Sequence, residues 1–198
     1  MGHKTLAFAV ALLAAGPAQA DFHTFDGCDI AEDAYQDIVL PILDGTWQAT
    51  NGGGLMLVQG AGQSMTFPIP PGDTDVAIIQ YMGENTTFIT NGAQEVHYEV
   101  SFTDPSTEGD YGLPDALLPG AQDVMDFDAL GEDVPNCASD LLPTVTYSGE
   151  LTEDGVTMNF EAILHVVTAD LLSGIFIFNG TGPDGGQVHG RRLLTLRR

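Results

Sequence analysis

The sequence predicts an all-β protein: an antiparallel up-and-down β-barrel with a short N-terminal helix and a long, partly helical insertion, or alternatively a β-sandwich. Three observations predict it. From Gly45 onward the chain breaks into short runs rich in β-branched and aromatic residues, punctuated by glycine. The longer runs alternate apolar and polar residues with a period of two, the mark of a strand with one face buried. No β-helix-β alternation separates them, so about ten strands joined by tight turns must bury one side of an antiparallel sheet.

Residues 1–20 precede this pattern. A basic start at Lys4, an apolar stretch from Leu6 to Ala15 and an Ala18-Gln19-Ala20 end predict a secretory signal peptide, and hence a secreted or periplasmic protein. The remainder, 21–198, is expected to form one domain with an insertion at 104–143. In CDIAEDAYQDIVL, Ile30, Ala34 and Ile38 recur at spacing four, with Ala31, Tyr35 and Val39 beside them. This predicts an amphipathic helix capped by Asp26 or Asp29 and ended by Pro41, which disfavours helical geometry at Leu40.

The strands follow as GTWQAT, GLMLVQG, QSMTFPI, DVAIIQYM, TTFIT and EVHYEVSF, then TVTYSGEL, VTMNFEAILHVVT, GIFIFNG and QVHGRRLLTLR. Asp154-Gly155 and Asp184-Gly185 are hairpin signals. In EVHYEVSF, Val96, Tyr98, Val100 and Phe102 share one face; in VTMNFEAILHVVT, Met158, Phe160, Ala162, Leu164 and Val166 do. Residues 104–143 carry five prolines and many acids. A structureless stretch of that length is uncommon in a compact domain, and Val124, Phe127 and Leu130, followed by Gly131, predict a helix inside it. Cys28 and Cys137, in an exported chain, are expected to form a disulfide that staples this insertion to the N-terminal helix, as a lid or plug over one end of the sheet.

Charge excludes one class of partner. The chain holds 28 acidic residues against five basic ones, a formal net charge of −23, and no lysine or arginine lies between Lys4 and Arg191. No basic groove can track nucleic acid. So acidic a surface is less self-repulsive in a saline medium, where screening shortens the Debye length. No segment after the leader is long and apolar enough for a membrane-spanning helix, and one Trp, five Tyr and no terminal aromatic residue do not make the girdles of an outer-membrane barrel.

Several groups could carry chemistry. His97 and Glu99 share the polar face of one strand, and Glu161 and His165 that of another. If those strands were neighbours and the residues pointed inward, they would be acid–base candidates for an isomerase or cyclase, or ligands for zinc. The acids of 104–133 offer oxygen ligands to calcium without EF-hand spacing, and their default is a solvated loop. Asp21-Phe22-His23, freed by leader cleavage, has the pattern of a terminal copper site, with a frayed end as its default. Asn85-Thr86-Thr87 and Asn179-Gly180-Thr181 match the glycosylation pattern and decide nothing. There is no GxSxG, no HExxH and no cysteine to spare after the disulfide. Neither a metal nor a cofactor is assigned.

Gly45-Thr46-Trp47 on the first strand, preceded by a short helix and matched by a terminal strand holding Arg191 and Arg192, resembles the lipocalin and wider calycin pattern. That resemblance implies that Trp47 stacks on a guanidinium from the last strand, either Arg191 or Arg192. It also implies a barrel that binds a small apolar ligand, lined by Trp47, Tyr98, Val100, Phe102, Phe160, Leu164 and Phe176. Two other functions remain open from the residues: the acid–base enzyme, and an acidic module that binds or inhibits a basic protein.

Overall fold

The computed structural model describes residues 35–80, 87–90, 99–102, 113–119, 124–125, 130–131, 142–153 and 155–198. They form an all-β, antiparallel architecture of nine strands: β1 (Gly45–Gly60), β2 (Gln63–Ile69), β3 (Thr74–Gln80), β4 (Thr87–Thr90), β5 (Glu99–Phe102), β6 (Thr144–Glu153), β7 (Val156–Thr168), β8 (Leu171–Thr181) and β9 (Gln187–Arg197). The spatial order is β4-β3-β1-β9-β8-β7-β6-β5, with β2 also on β1. Among the described residues no ladder joins β4 to β5, so the sheet is not closed.

β1 departs from expectation. NGGG reads as a turn between two strands, yet the chain runs on as one strand of 16 residues. Its first half pairs β3 and its second half β2, while β9 lies along both, with a bulge between Asn51 and Gly54. A Cβ on Gly54 would sit 2.1 Å from the Arg191 carbonyl oxygen and 2.8 Å from the Arg192 Cβ. The glycines therefore let two backbones approach while the bulge bends the strand.

The N-terminal helix also differs. Its described part is a π turn, Tyr35–Val39, running into α1 (Leu40–Leu43), so helical backbone continues through Pro41. Pro41 falls in the first turn of α1, where a missing N–H costs no hydrogen bond, and the wider π turn precedes it.

Cross-strand register divides the sheet into two faces. Trp47, Ala49, Ala77, Ile79, Val145, Tyr147, Leu164, Val166, Leu172, Leu194 and Leu196 are buried together on one, with Val39 and Leu43 of the helical segment against them. On the opposite face, Val167 and Leu171 join Met125, Leu130 and Leu142 in a second cluster. The insertion's described pieces thus pack against this second face. Arg191 Nε donates to the Leu117 carbonyl at 2.6 Å and Arg197 Nη2 to that of Leu130 at 3.5 Å, both from this second face. Gly131, with φ 61°, has the left-handed backbone expected after a helix end. Covered on both sides, β8 reads LLSGIFIFNG, a nearly continuous apolar run.

At the base of the first face stands Trp47, 1% exposed. Its Nε1 donates to the Leu43 carbonyl at 2.9 Å, and the Arg198 guanidinium lies over its ring, 4.3 Å from the centroid. The stacking cation is therefore Arg198, not Arg191 or Arg192. Register explains the correction: Gln48 pairs Arg197, so the next position along places Arg198 beside Trp47. Arg191 points to the opposite face, and Arg192 shares the Trp47 face but pairs Gly54, about 20 Å along at the ordinary strand rise. Arg198 also donates to the carbonyls of Asp44, Ile42 and Ala169, and its Nε reaches Asp170 Oδ1 at 3.1 Å. Gly45 has φ 134°, open to glycine, and a Cβ there would lie 3.3 Å from Arg198 Nη1.

Residues 1–20, Cys28, Cys137, His97 and Tyr98 lie outside the described residues, and no disulfide is found among those described. No helix among them is long and apolar enough to cross a membrane.

Replacing Arg198 by Gln removes the cation–π contact and most of the carbonyl bonds around it. The expected loss is about 1–3 kcal/mol. It is measured as a lower urea midpoint with an unchanged slope, followed through the emission of the single tryptophan.

Candidate functional site

The Trp47 face has two halves. Below, from Trp47 to Leu164 and Leu194, side chains fill the space. Above, the rungs are only partly covered. Register sets Phe160 against Phe178, Ala162 against Phe176, Phe176 against Arg192, Phe178 against Gly190, Gly190 against Met56 and Val188 against Val58. The Phe160 and Phe176 rings are 6.0 Å apart and stacked; those of Phe176 and Phe178 are 6.4 Å apart and tilted. All three rings, with Met56 and Val188, are partly exposed, and Val58 is 40% exposed. The result is an apolar shelf spanning β7, β8, β9 and β1.

Glycine shapes it. A Cβ on Gly190 would fall 2.1 Å from the Phe178 Cζ, so that ring lies over bare backbone. Arg192 brings a charge to this half of the face. Its Nη2 donates to the Gly52 carbonyl at 3.1 Å and ties the β1 bulge to β9, while its Nε is buried with no hydrogen-bond partner among the described residues. Burial pushes its pKa down from the usual arginine value.

The expected lining residues separate accordingly. Trp47 and Leu164 are buried core, whereas Phe160 and Phe176 belong to the shelf. Val100 and Phe102 stand in β5 opposite Tyr147 and Val145. Phe178, Met56 and Val188 join the shelf without having been singled out by sequence. Phe178 was readable, lying two residues past Phe176 in an alternating run; Met56 and Val188 depend on the β1–β9 register.

Of the acid–base candidates, Glu161 and His165 lie on the other face. β6 separates β5 from β7, so Glu99 stands opposite Ser148, and Ser148 opposite Glu161. The condition that those two strands be neighbours is not met. Glu161 and His165 share a face, but four residues of strand set them about 13 Å apart, beyond hydrogen-bond reach. Burial raises the Glu161 pKa above the usual carboxylate value. No group of three or more His, Cys, Asp or Glu able to hold a metal is found among the described residues.

His165 belongs instead to a polar rung that crosses six strands. Thr144, His165, Ser173, Thr195, Thr50 and Thr74 are successive cross-strand partners. Thr144 Oγ1 and His165 Nδ1 are 3.3 Å apart, Ser173 Oγ and Thr195 Oγ1 3.4 Å, and Thr50 and Thr74 Oγ1 3.0 Å. Ser173 is 0% exposed, which denies a substrate any approach to its hydroxyl. A second imidazole, His189, has its Nδ1 2.7 Å from Asn179 Oδ1, again between cross-strand partners. This face is built for cohesion.

No known protein-family model matches the chain, and no curated protein matches its sequence.

Burial holds the His165 pKa down at about 4, below the ordinary 6.5, so between those values the unfolded chain binds more protons than the folded one. Stability from this residue is complete above pH 6.5, declines as pH falls toward 4 and is constant below it. The expected span is roughly 3 kcal/mol. Urea midpoints across that range should fall less steeply with acid in His165→Gln than in the unaltered protein.

Proposed function

We propose that this chain is an exported small-molecule-binding protein of lipocalin-like type, taking an apolar ligand on the shelf formed by Phe160, Phe176 and Phe178. In this reading the sheet curls toward a barrel with the Trp47 face inside, and the leader of residues 1–20 directs export. One observation carries the proposal. The lower half of the Trp47 face is filled by its own side chains, while the upper half leaves stacked aromatic rings partly uncovered on adjoining strands. Such a surface gains by covering. A two-ring aromatic ligand that buries about 500 Å² of apolar area, its own and the shelf's together, gains roughly 12 kcal/mol. After the loss of translational and rotational freedom, a dissociation constant in the micromolar range remains.

The acid–base enzyme draws no support from the described residues, because Glu161 and His165 sit apart and away from the shelf. The apolar reading is the one the geometry favours.

Titration of purified protein with N-phenyl-1-naphthylamine, a neutral fluorescent probe, tests it. Saturable binding is expected, weakened about tenfold or more by Phe176→Ser, in line with removal of one aromatic contact. His165→Gln, on the opposite face, should leave affinity unchanged. Absence of saturable uptake of the probe and of a lipid panel, read by native mass spectrometry, would count against carriage.

A further inference from the structure

We propose that two copies of this chain pair edge to edge through β2, extending the sheet across a two-fold axis at Met65. The inference stands on the β1–β2 hairpin and does not depend on ligand binding. Among the described residues β2 pairs only with β1. Its residues from Gln63 to Pro68 are all exposed, Met65 at 57% and Phe67 at 38%.

Hairpin parity says which backbone groups are open. The turn is Ala61-Gly62, with φ 52° and 77°, closed by the Gly60–Gln63 pair. In a two-residue hairpin of this kind the closing pair exchanges hydrogen bonds, and bonded and non-bonded pairs then alternate. Met65 and Phe67 therefore bond to Val58 and Met56, while Ser64, Thr66 and Pro68 turn their backbone groups away from β1. Pro68, which has no N–H, falls where it costs β1 nothing and ends the row of outward donors. The open edge consequently presents the N–H and C=O of Ser64 and of Thr66.

Those two residues match their own copies. Laid antiparallel, Ser64 faces Thr66 of the second copy and Thr66 faces its Ser64, giving four backbone hydrogen bonds, with Met65 opposite Met65 on the axis. Met65 and Phe67 share a sheet face with Val58 and Met56, so an apolar stripe continues from one copy into the other.

Charge selects the same place. Residues 45–72 contain no charged side chain, and no other stretch beyond residue 20 is as long without one. In a chain of net charge −23, two copies repel wherever acids meet, and this hairpin is where approach costs least. Pairing should therefore strengthen with salt, the reverse of an association between opposite charges.

Sedimentation velocity of the full chain at about 20 mM and about 1 M NaCl tests the proposal. A monomer–dimer equilibrium is expected, tighter by about tenfold or more at the higher salt. Thr66→Pro deletes an outward N–H that makes no bond to β1, and should weaken the dimer about tenfold or more while leaving the thermal midpoint near its original value. Met65→Glu puts like charges on the axis at an exposed position and should weaken it as well, most at low salt. A monomer at both salts, or a dimer indifferent to both substitutions, as face-to-face stacking of the shelves would give, overturns the proposal.

Discussion

The Trp47 indole, held between the Arg198 guanidinium and the Leu43 carbonyl, fixes the relation of three parts of the chain. Arg198 reaches the end of the helical segment through Ile42 and Asp44, and the β7–β8 turn through Ala169 and Asp170. The contact thereby aligns the start of β1 with the end of β9. In a sheet that alignment matters more than its own few kcal/mol, because a slip of one residue moves every side chain to the other face. With Trp47 placed, Ala49 and Leu196 go to the core, and Gln48 and Arg197 to the reverse. Across the bulge after Asn51, β1 advances three residues while β9 advances two, from Leu194 to Arg192, and Gly54 comes to Arg192 with the faces still in phase. The shelf above inherits its orientation from the lock below.

The two faces answer different physical demands. On the Trp47 face large apolar side chains dominate, and the helical segment closes the lower half. On the opposite face hydroxyls and an imidazole form one rung, aliphatic residues flank it, and Leu117, Met125, Leu130 and Leu142 of the insertion cover part of it. A buried polar group is tolerable when it has a partner, and a row of threonines and serine on adjacent strands supplies partners without long side chains. The neutral imidazole of His165 fits such a row; an ionised one would not. Arg191 lies in the same covered region and is satisfied by the Leu117 carbonyl. The acid-rich insertion thus contributes apolar side chains and backbone carbonyls to the sheet, two things its composition conceals.

Period-two alternation was readable wherever a strand has one wet face. VTMNFEAILHVVT coincides with β7, and the separation of Leu164 from Glu161 and His165 onto opposite faces holds. Alternation says nothing of which strands adjoin. The convergence of Glu99 with Glu161 needed β5 beside β7, and β6 intervenes. Asn51-Gly52-Gly53-Gly54 has turn composition, yet serves a bulge where another backbone crosses, a distinction that exists only once β9 is in place. Pro41 is a stop signal through its effect on Leu40, and the π turn ahead of it removes the conflict. The Gly-x-Trp pattern points to Arg191 or Arg192 as the cation over Trp47, and neither is there. The particular arginine depended on register, in which Arg198 rather than Arg192 falls beside the ring. Of the shelf, Phe160 and Phe176 were legible as apolar residues of alternating strands, whereas their partial exposure is a property of what lies opposite.

What lies opposite is glycine. A filled interior would carry branched aliphatic side chains at the rung of Phe160 and Phe178, as the lower rungs do at Leu172, Leu194 and Leu196. Instead Gly190 takes that rung on β9, while Gly54 on β1 lies in the adjoining rung of Phe176 and Arg192 and Gly180 on β8 in the adjoining rung of Met158 and Val188. At Gly180 a Cβ would meet Val188 Cγ1 at 2.8 Å and Met158 Cγ at 3.2 Å, so the neighbours already lean into the space it leaves. At Gly190 the Phe178 ring does the same. Rings and thioethers resting on bare backbone spread sideways rather than stacking upward, and their outer surfaces stay open. Glycine in a strand weakens it through lost packing and added chain entropy. Three of them in adjoining rungs make a costly way to build a core and an effective way to build a flat apolar surface.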